Sequence, residues 1–564
     1  MLQGLPSDGI EFQSWTWADI RPHYDALDSV DLSSDNVESW LASWSKLASL
    51  VTEVDNRLYV ATTVNTADAN AKGLYDRFLE DIYPNAKEAN QRLKKKLLDS
   101  GLAVPGFEIP LRNMRSEAEL YREENIPLLT EQIKLCQTYD EIVGSQTAVW
   151  DGEEVPLPFL NRALQETDRS RREQAWRASI DRKLQDRERL NRLWAEIFGL
   201  RGQIAANAGL GSFRDYIWRD LLRFDYSPAD CADFREAIEQ EVVPVAARIL
   251  ERRRQALGVD SLRPWDLEVD VSGTPLKPFS DGADLIAKSQ TVLDHVDPEL
   301  GGFFADMHAR GLLDLESRKN KAPGGYCTNY DAVRLPFIFM NAVGTHDDVQ
   351  TLIHEAGHSF HVYETAGLPY QQQLAYTSEI AEVASMGMEL LAAPYLAAEG
   401  AFYTPEEAAK ARIKHMETTI LFWPYMAVVD GFQHWAYENP DQAVDASACD
   451  AEWGRLWSRF MPVVDWSGLE DARVTGWHRK LHIYQVPFYY VEYGMASLGA
   501  CQVFRNAREN QEEAVAKYRS MLRLGGTKPL PELFAAAGAK FAFDAKTIRD
   551  CVGILETAIE ELSK

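Results

Sequence analysis

The chain has 564 residues, 46% of them hydrophobic, and a formal net charge of −27 at pH 7. That is ample material for more than one large core, while the acidic excess argues against a nucleic-acid partner, because binding phosphate requires a basic surface that displaces counterions. The start, Met1 to Asp8, lacks a basic segment followed by an apolar one, and no later stretch offers about 18 uncharged apolar residues, so a cytoplasmic protein with no membrane partner is expected.

In chain order, the first part reads as successive helices. Asp35 and Glu38 fit a capping box, and Trp40, Trp44, Leu47 and Val51 then recur at helical spacing, a stripe that suits a core. Helical patterning continues from Leu120 to Leu135. It breaks between Val149 and Val155, where Asp151-Gly152 between apolar residues predicts a small hairpin, and resumes from Asp168 to Phe198. The basic run Arg92 to Lys96 reads as a solvated helix face. A soft boundary near residue 190 gives a helical domain 1–190 and a second domain 191–564. Pro, Gly and Ser gather from Ser272 to Pro278, as in a connector. The six cysteines contain no CxxC pair and are expected to be reduced and buried. Strand character follows at Gly325 to Cys327 and Leu335 to Asn341. Pro336 suggests that the second is an edge strand, beside which an extended peptide could add.

His354-Glu355-Ala356-Gly357-His358 is an HExxH sequence. On a helix the two imidazoles fall about 40° apart on one face and can hold a zinc ion, with Glu355 placed to act on the water that the metal activates. About 0.02 such matches are expected by chance in a chain of this His and Glu content. A catalytic zinc needs a third protein ligand. Gly would stand at 361 and His at 364 in the metzincin pattern, whereas His361 and Glu364 are found, so that pattern fails. The helix predicted from Thr377 to Leu391 offers Glu379 and Glu382 on an otherwise apolar sequence. Glu382 is favoured as the ligand and Glu379 as acceptor for a ligand His N–H, with the reverse assignment open. His361 lies a turn further along and suits a structural or substrate-side role. The segment His482 to Gly494 adds His482, Tyr484, Tyr489, Tyr490 and Tyr493, whose N–H and O–H groups could stabilise a developing oxyanion. An aromatic cluster of this kind is otherwise read as core.

Taken together, these stretches resemble the M3 family of zinc oligopeptidases, oligoendopeptidase F branch. The matching residues are Gly324 to Cys327, Pro336 to Asn341, Gly344-Thr345, the HExxH with His361, Ala381 to Ser385 and Phe488 to Tyr493; weaker matches are Trp150 to Glu153, Asp168-Arg169 and Arg172 to Trp176. The resemblance implies His354, His358 and Glu382 as ligands of Zn2+, Glu355 as general base, and His482 with Tyr493 or Tyr490 contacting substrate. Gly325, Tyr326, Phe337, Ile338 and Phe339 are the expected substrate-strand residues. It further implies a mainly α, two-lobed, zincin-like fold with a small sheet beside the HExxH helix and a deep channel, acting on internal bonds of oligopeptides. A carboxypeptidase or dipeptidyl carboxypeptidase on a similar scaffold, or a peptide-binding protein with a vestigial site, are the rival readings.

Overall fold

The computed structural model describes residues 2–271 and 276–564. Met1 and, within the expected connector, residues 272–275 lie outside the described residues. The chain folds into two compact units, each assembled from three stretches: Met1–Ala118, Leu276–Arg412 and Ala496–Phe541 in the first, and Glu119–Pro275, Ile413–Met495 and Ala542–Lys564 in the second. The boundary expected near residue 190 falls inside a helix of the second unit, Arg187–Asn207. One crossing, at Pro275/Leu276, coincides with the connector read from Ser272 to Pro278, whereas three others fall inside the helices Glu108–Leu120, Pro405–Glu438 and Tyr490–Glu509, where composition gives no break.

Both units are mainly helical. In the first, helix Val37–Val64 buries Trp40, Trp44, Leu47 and Val51, the stripe read from its spacing. Both indoles are satisfied as core groups: Trp40 Nε1 donates to the Leu27 carbonyl at 2.9 Å and Trp44 Nε1 to Asn90 Oδ1 at 2.7 Å. Its N-cap is Asn36, and the capping box expected from Asp35 and Glu38 does not form.

The small sheet belongs to the first unit and has three strands, β1 (Leu313–Glu316), β2 (Tyr326–Tyr330) and β3 (Leu335–Ala342). β3 is central, parallel to β1 and antiparallel to β2. The expectation of an edge strand at Leu335 to Asn341 is therefore corrected. Pro336 is tolerated because pairing with β1 begins only at Ile338, opposite Leu313, so the proline stands where the strand has a neighbour on one side alone. Phe337, Ile338 and Phe339, expected to face substrate, are 7%, 0% and 0% exposed, and their side chains are packed in the core. The edge nearer the HExxH helix is β2, which carries Tyr326.

In the second unit the predicted hairpin forms between Thr147–Trp150 and Glu153–Pro156. Asp151 and Gly152 both take positive φ, 51° and 89°, as a two-residue turn matching the strand twist requires. Four cysteines are buried as expected; Cys136 and Cys327 are half-buried, and all six are free thiols. Among the described residues no helix is long and apolar enough to cross a membrane.

Candidate metal centre

β3 leads into helix α1 (His346–Glu364), and the junction is tied by a capping box. The Asp348 carboxylate accepts from the amides of Val343, Gly344 and Thr345 at 2.9, 2.9 and 2.7 Å, while the Thr345 hydroxyl accepts from Asp348 N at 3.3 Å. This fixes the rotation of α1, which carries His354, Glu355 and His358. Helix α2 (Ser378–Ala392) packs against it. The closeness of that crossing depends on Gly357, the fourth residue of the HExxH sequence. A Cβ there would stand 2.5 Å from the Ala384 carbonyl oxygen and 2.7 Å from Ser385 Cα. Tyr518 also ties down α2, by donating its hydroxyl to the same carbonyl at 2.6 Å.

The crossing brings Glu382 against both imidazoles. Its Oε2 lies 3.3 Å from His354 Nε2 and 3.9 Å from His358 Nε2, and the three donor atoms lie within 4.8 Å of one another. Ser385 Oγ donates to the same Oε2 at 2.9 Å, which orients the carboxylate. His354 donates its other ring nitrogen, Nδ1, to Glu389 Oε1 at 2.7 Å. That acceptor was expected to be Glu379, which is 1% exposed on the same helix. Glu389 follows Glu382 by two helical turns and so shares its face, a spacing signal present in the sequence and not used.

Burial opposes the charged form of His354, but hydrogen bonds and charge from Glu382 and Glu389 outweigh it and hold the ring well above the ordinary imidazole range. His358 is pushed down to about 4, by burial first and then by the charge on His354. Glu382 stays below the usual carboxylate range: burial works against it, and the bonds from His354 and Ser385 with the charge of both histidines prevail. Glu355, beside this group, is pushed up to about 7 by burial, with the Glu382 charge adding to the effect and the Cys327 amide of β2 partly countering it. A buried carboxyl poised near neutrality is the form a general base takes.

His361 is not part of the donor group. Its ring stacks on Tyr376 at 3.6 Å between centroids and 7° between planes, 1% exposed, and burial pushes it to about 3. Cys231, Asp430 and His434, in the second unit, also gather three donors. Two guanidinium groups already supply positive charge there: Arg214 Nη1 lies 3.4 Å from His434 Nδ1, and Arg235 pairs with Asp430.

His482, Tyr490 and Tyr493 lie in the second unit and form one cluster, the His482 ring 4.8 Å from that of Tyr490 and 6.2 Å from that of Tyr493. Tyr490 is mostly buried, and His482, Tyr489 and Tyr493 are half-buried. Tyr484 is fully buried and its hydroxyl faces the Leu190 carbonyl at 3.4 Å, which leaves it a packing role. The turn before Tyr489 is built on Phe488, a non-glycine at φ 66°. Arg223 donates to the Phe488 carbonyl and to Glu492 at 2.6 Å each, and Gln433 accepts from Phe488 N at 2.7 Å, which holds that unfavourable backbone in place.

Two histidines one turn apart and a carboxylate from a crossing helix are a donor set that could hold one metal ion, with a buried carboxyl beside them. A model of peptidase family M3 matches residues 162–552, and the chain belongs to that family. It is 26% identical over 337 residues to an oligoendopeptidase F homolog of Borreliella burgdorferi, covering 57% of this chain and 54% of that protein. With the plasmid-encoded oligoendopeptidase F of Lactococcus lactis subsp. cremoris it shares 24% over 385 residues, 62% of this chain and 61% of the relative. The chain thus spans between half and two thirds of the length of these curated relatives. A structure of Pz peptidase A solved with an inhibitor superimposes with a TM-score of 0.86 at 29% identity, over 99% of this chain and 98% of that one.

Proposed function

We propose that this chain is a zinc-dependent, cytoplasmic oligoendopeptidase that cleaves internal bonds of short unstructured peptides. The observation that carries the reading is the convergence of His354 Nε2, His358 Nε2 and Glu382 Oε2 with Glu355 buried alongside. The donor set fits zinc: two imidazoles, one carboxylate, no thiolate, and a carboxylate behind a ligand histidine to fix its tautomer. When bound, zinc would supply Lewis acidity and lower the pKa of a water toward 7. Glu355 receives a proton at its carboxylate as water attacks the peptide carbonyl, and then delivers it to the leaving amine. Tyr493, with Tyr490 or His482, is proposed to donate to the carbonyl oxygen as charge develops there.

The substrate strand is proposed to lie along β2. Groups on one edge of a strand recur every second residue. On the free edge of β2 the Cys327 amide serves Glu355 and the Asn329 carbonyl is taken by Asn56 Nδ2 at 2.7 Å. What remains is the Cys327 carbonyl and the exposed Gly325, enough to pair with a short extended peptide next to the base.

The test is hydrolysis of an internally quenched peptide of about ten residues, blocked at both ends, by protein of known zinc content, beside a folded globular protein. Cleavage of the peptide, its loss to chelator and no attack on the folded protein are expected. Failure on the end-blocked peptide with cleavage of free C-termini would make the enzyme an exopeptidase, and efficient cleavage of the folded protein would remove the size limit.

A further inference from the structure

The second unit contains a cavity of about 380 Å³ that takes no part in the chemistry above. Leu157, Leu184 and Leu190 form its apolar wall, and two cations, Lys183 and Arg479, line it. Both are half-buried, and in a chain with 86 acidic and 59 basic residues a cation drawn into a cavity wall normally has a carboxylate. Neither of these does among the described residues. Lys183 makes no hydrogen bond or ion pair, and its named electrostatic neighbour is Arg479, a like charge. Arg479 donates to the Ala472 carbonyl at 2.9 Å and has no acidic partner. Nearby carboxylates are already engaged: Asp186 with Arg182 and Arg189, and Asp450 with Arg187. His478 on the same wall adds no charge, because burial pushes it to about 3, and its Nε2 meets Asn191 Oδ1 at 2.7 Å. Burial and the guanidinium together push Lys183 down to about 8. Two cations lining one half-buried cavity raise the free energy of the empty protein, and an anion bound beside both would reverse the sign of both interactions.

We propose that this cavity binds a small organic anion, a carboxylate or phosphate carried on a short apolar body. The guanidinium offers a planar fork that matches either oxyanion, Lys183 supplies a point charge, and the leucine wall receives the apolar part. A volume of about 380 Å³ admits a molecule of the size of an acylated amino acid. The proposal does not depend on the peptidase reading, since none of the metal donors lines the cavity.

The test uses the full-length, zinc-replete protein and calorimetric titration at millimolar concentration with two matched pairs: N-acetyl-leucine against its amide, and phenyl phosphate against phenol. Saturable binding of one or both anions, without binding of its neutral twin, is expected, and the pair that binds tells carboxylate from phosphate. Lys183→Met should weaken that binding by roughly 10-fold or more, and should raise the melting temperature of the ligand-free protein, because an unpaired cation has been removed. Lys183→Arg should restore binding. Anion binding unchanged in Lys183→Met would place the anion outside this cavity and overturn the proposal, as would absence of saturable binding by either anion. A Lys183→Met protein that melts lower while Lys183→Arg also fails to bind would assign Lys183 to folding alone and overturn it equally.

Discussion

Gly357→Ala isolates the geometric basis of the metal site, because the residue touches no donor atom yet sets how closely α1 and α2 cross. The added Cβ would meet Ala384 O at 2.5 Å and Ser385 Cα at 2.7 Å, both backbone, where ordinary contact begins at 3.4 Å; the helices must part by about 0.9 Å. Two effects compete. Alanine in a helix interior is favoured over glycine by about 0.8–1 kcal/mol, whereas overpacking costs about 1–3 kcal/mol, toward the upper end here because neither obstructing atom can rotate away. The steric cost wins, with a net loss of about 1–2 kcal/mol. Its main consequence is local: metal–ligand distances tolerate only about 0.2 Å, and Glu382 rides on the displaced helix. Metal retention against a chelator should fall clearly, and kcat/KM by roughly 100-fold, the usual effect of a displacement near 1 Å, while far-UV circular dichroism stays unchanged. A Gly357→Ala protein with wild-type metal affinity and turnover would refute the reasoning, showing that the two helices are not held at this contact.

Glu355→Gln should keep one zinc per chain and lose nearly all turnover, measured by metal analysis beside peptide hydrolysis. Glu382→Ala should lose zinc on dialysis, whereas Glu389→Gln should weaken zinc affinity by about 10–100-fold and exceed the effect of Glu379→Gln; the opposite ranking would return the supporting role to Glu379. Tyr493→Phe should lower kcat by about 10²–10³ with little change in KM. For pH, Glu355 must be ionised to accept a proton, and burial raises its pKa from 4.5 to about 7 in the metal-free protein; zinc alongside pulls it back down. The kcat/KM profile should therefore rise with pH through a midpoint between those two values, and a profile flat across that window would remove Glu355 as the base.

Much of the centre was legible because its chemistry is written in local spacing. His354, Glu355 and His358 are read from one helical turn, and Glu382 from carboxylates on an apolar helix. The errors arose where the answer depended on long-range partners. Pro336 is correctly a residue for a strand with one neighbour, but β1 starts its pairing at Ile338, two residues later, and so the same strand is central where it carries Ile338 and Phe339. Likewise the crossings between units that fall inside helices leave no local signal, although the connector from Ser272 to Pro278 does mark one of them.

The pairing of His354 with Glu389 rather than Glu379 shows how the geometry of the crossing decides roles that spacing leaves open. Both carboxylates lie on the face of α2 near Glu382, one turn before it or two turns after. Gly357 brings α1 against α2 at Ala384 and Ser385, between Glu382 and Glu389, so the helices are closest in that interval. A histidine on α1 that meets Glu382 with Nε2 has its Nδ1 pointing along α2 toward the C-terminal side, where Glu389 stands at 2.7 Å. Glu379, on the other side of Glu382, is not on that line. The same glycine that permits the metal donors to converge therefore also selects which carboxylate orients the first ligand, and its substitution should disturb the His354–Glu389 bond along with the His354–Glu382 contact.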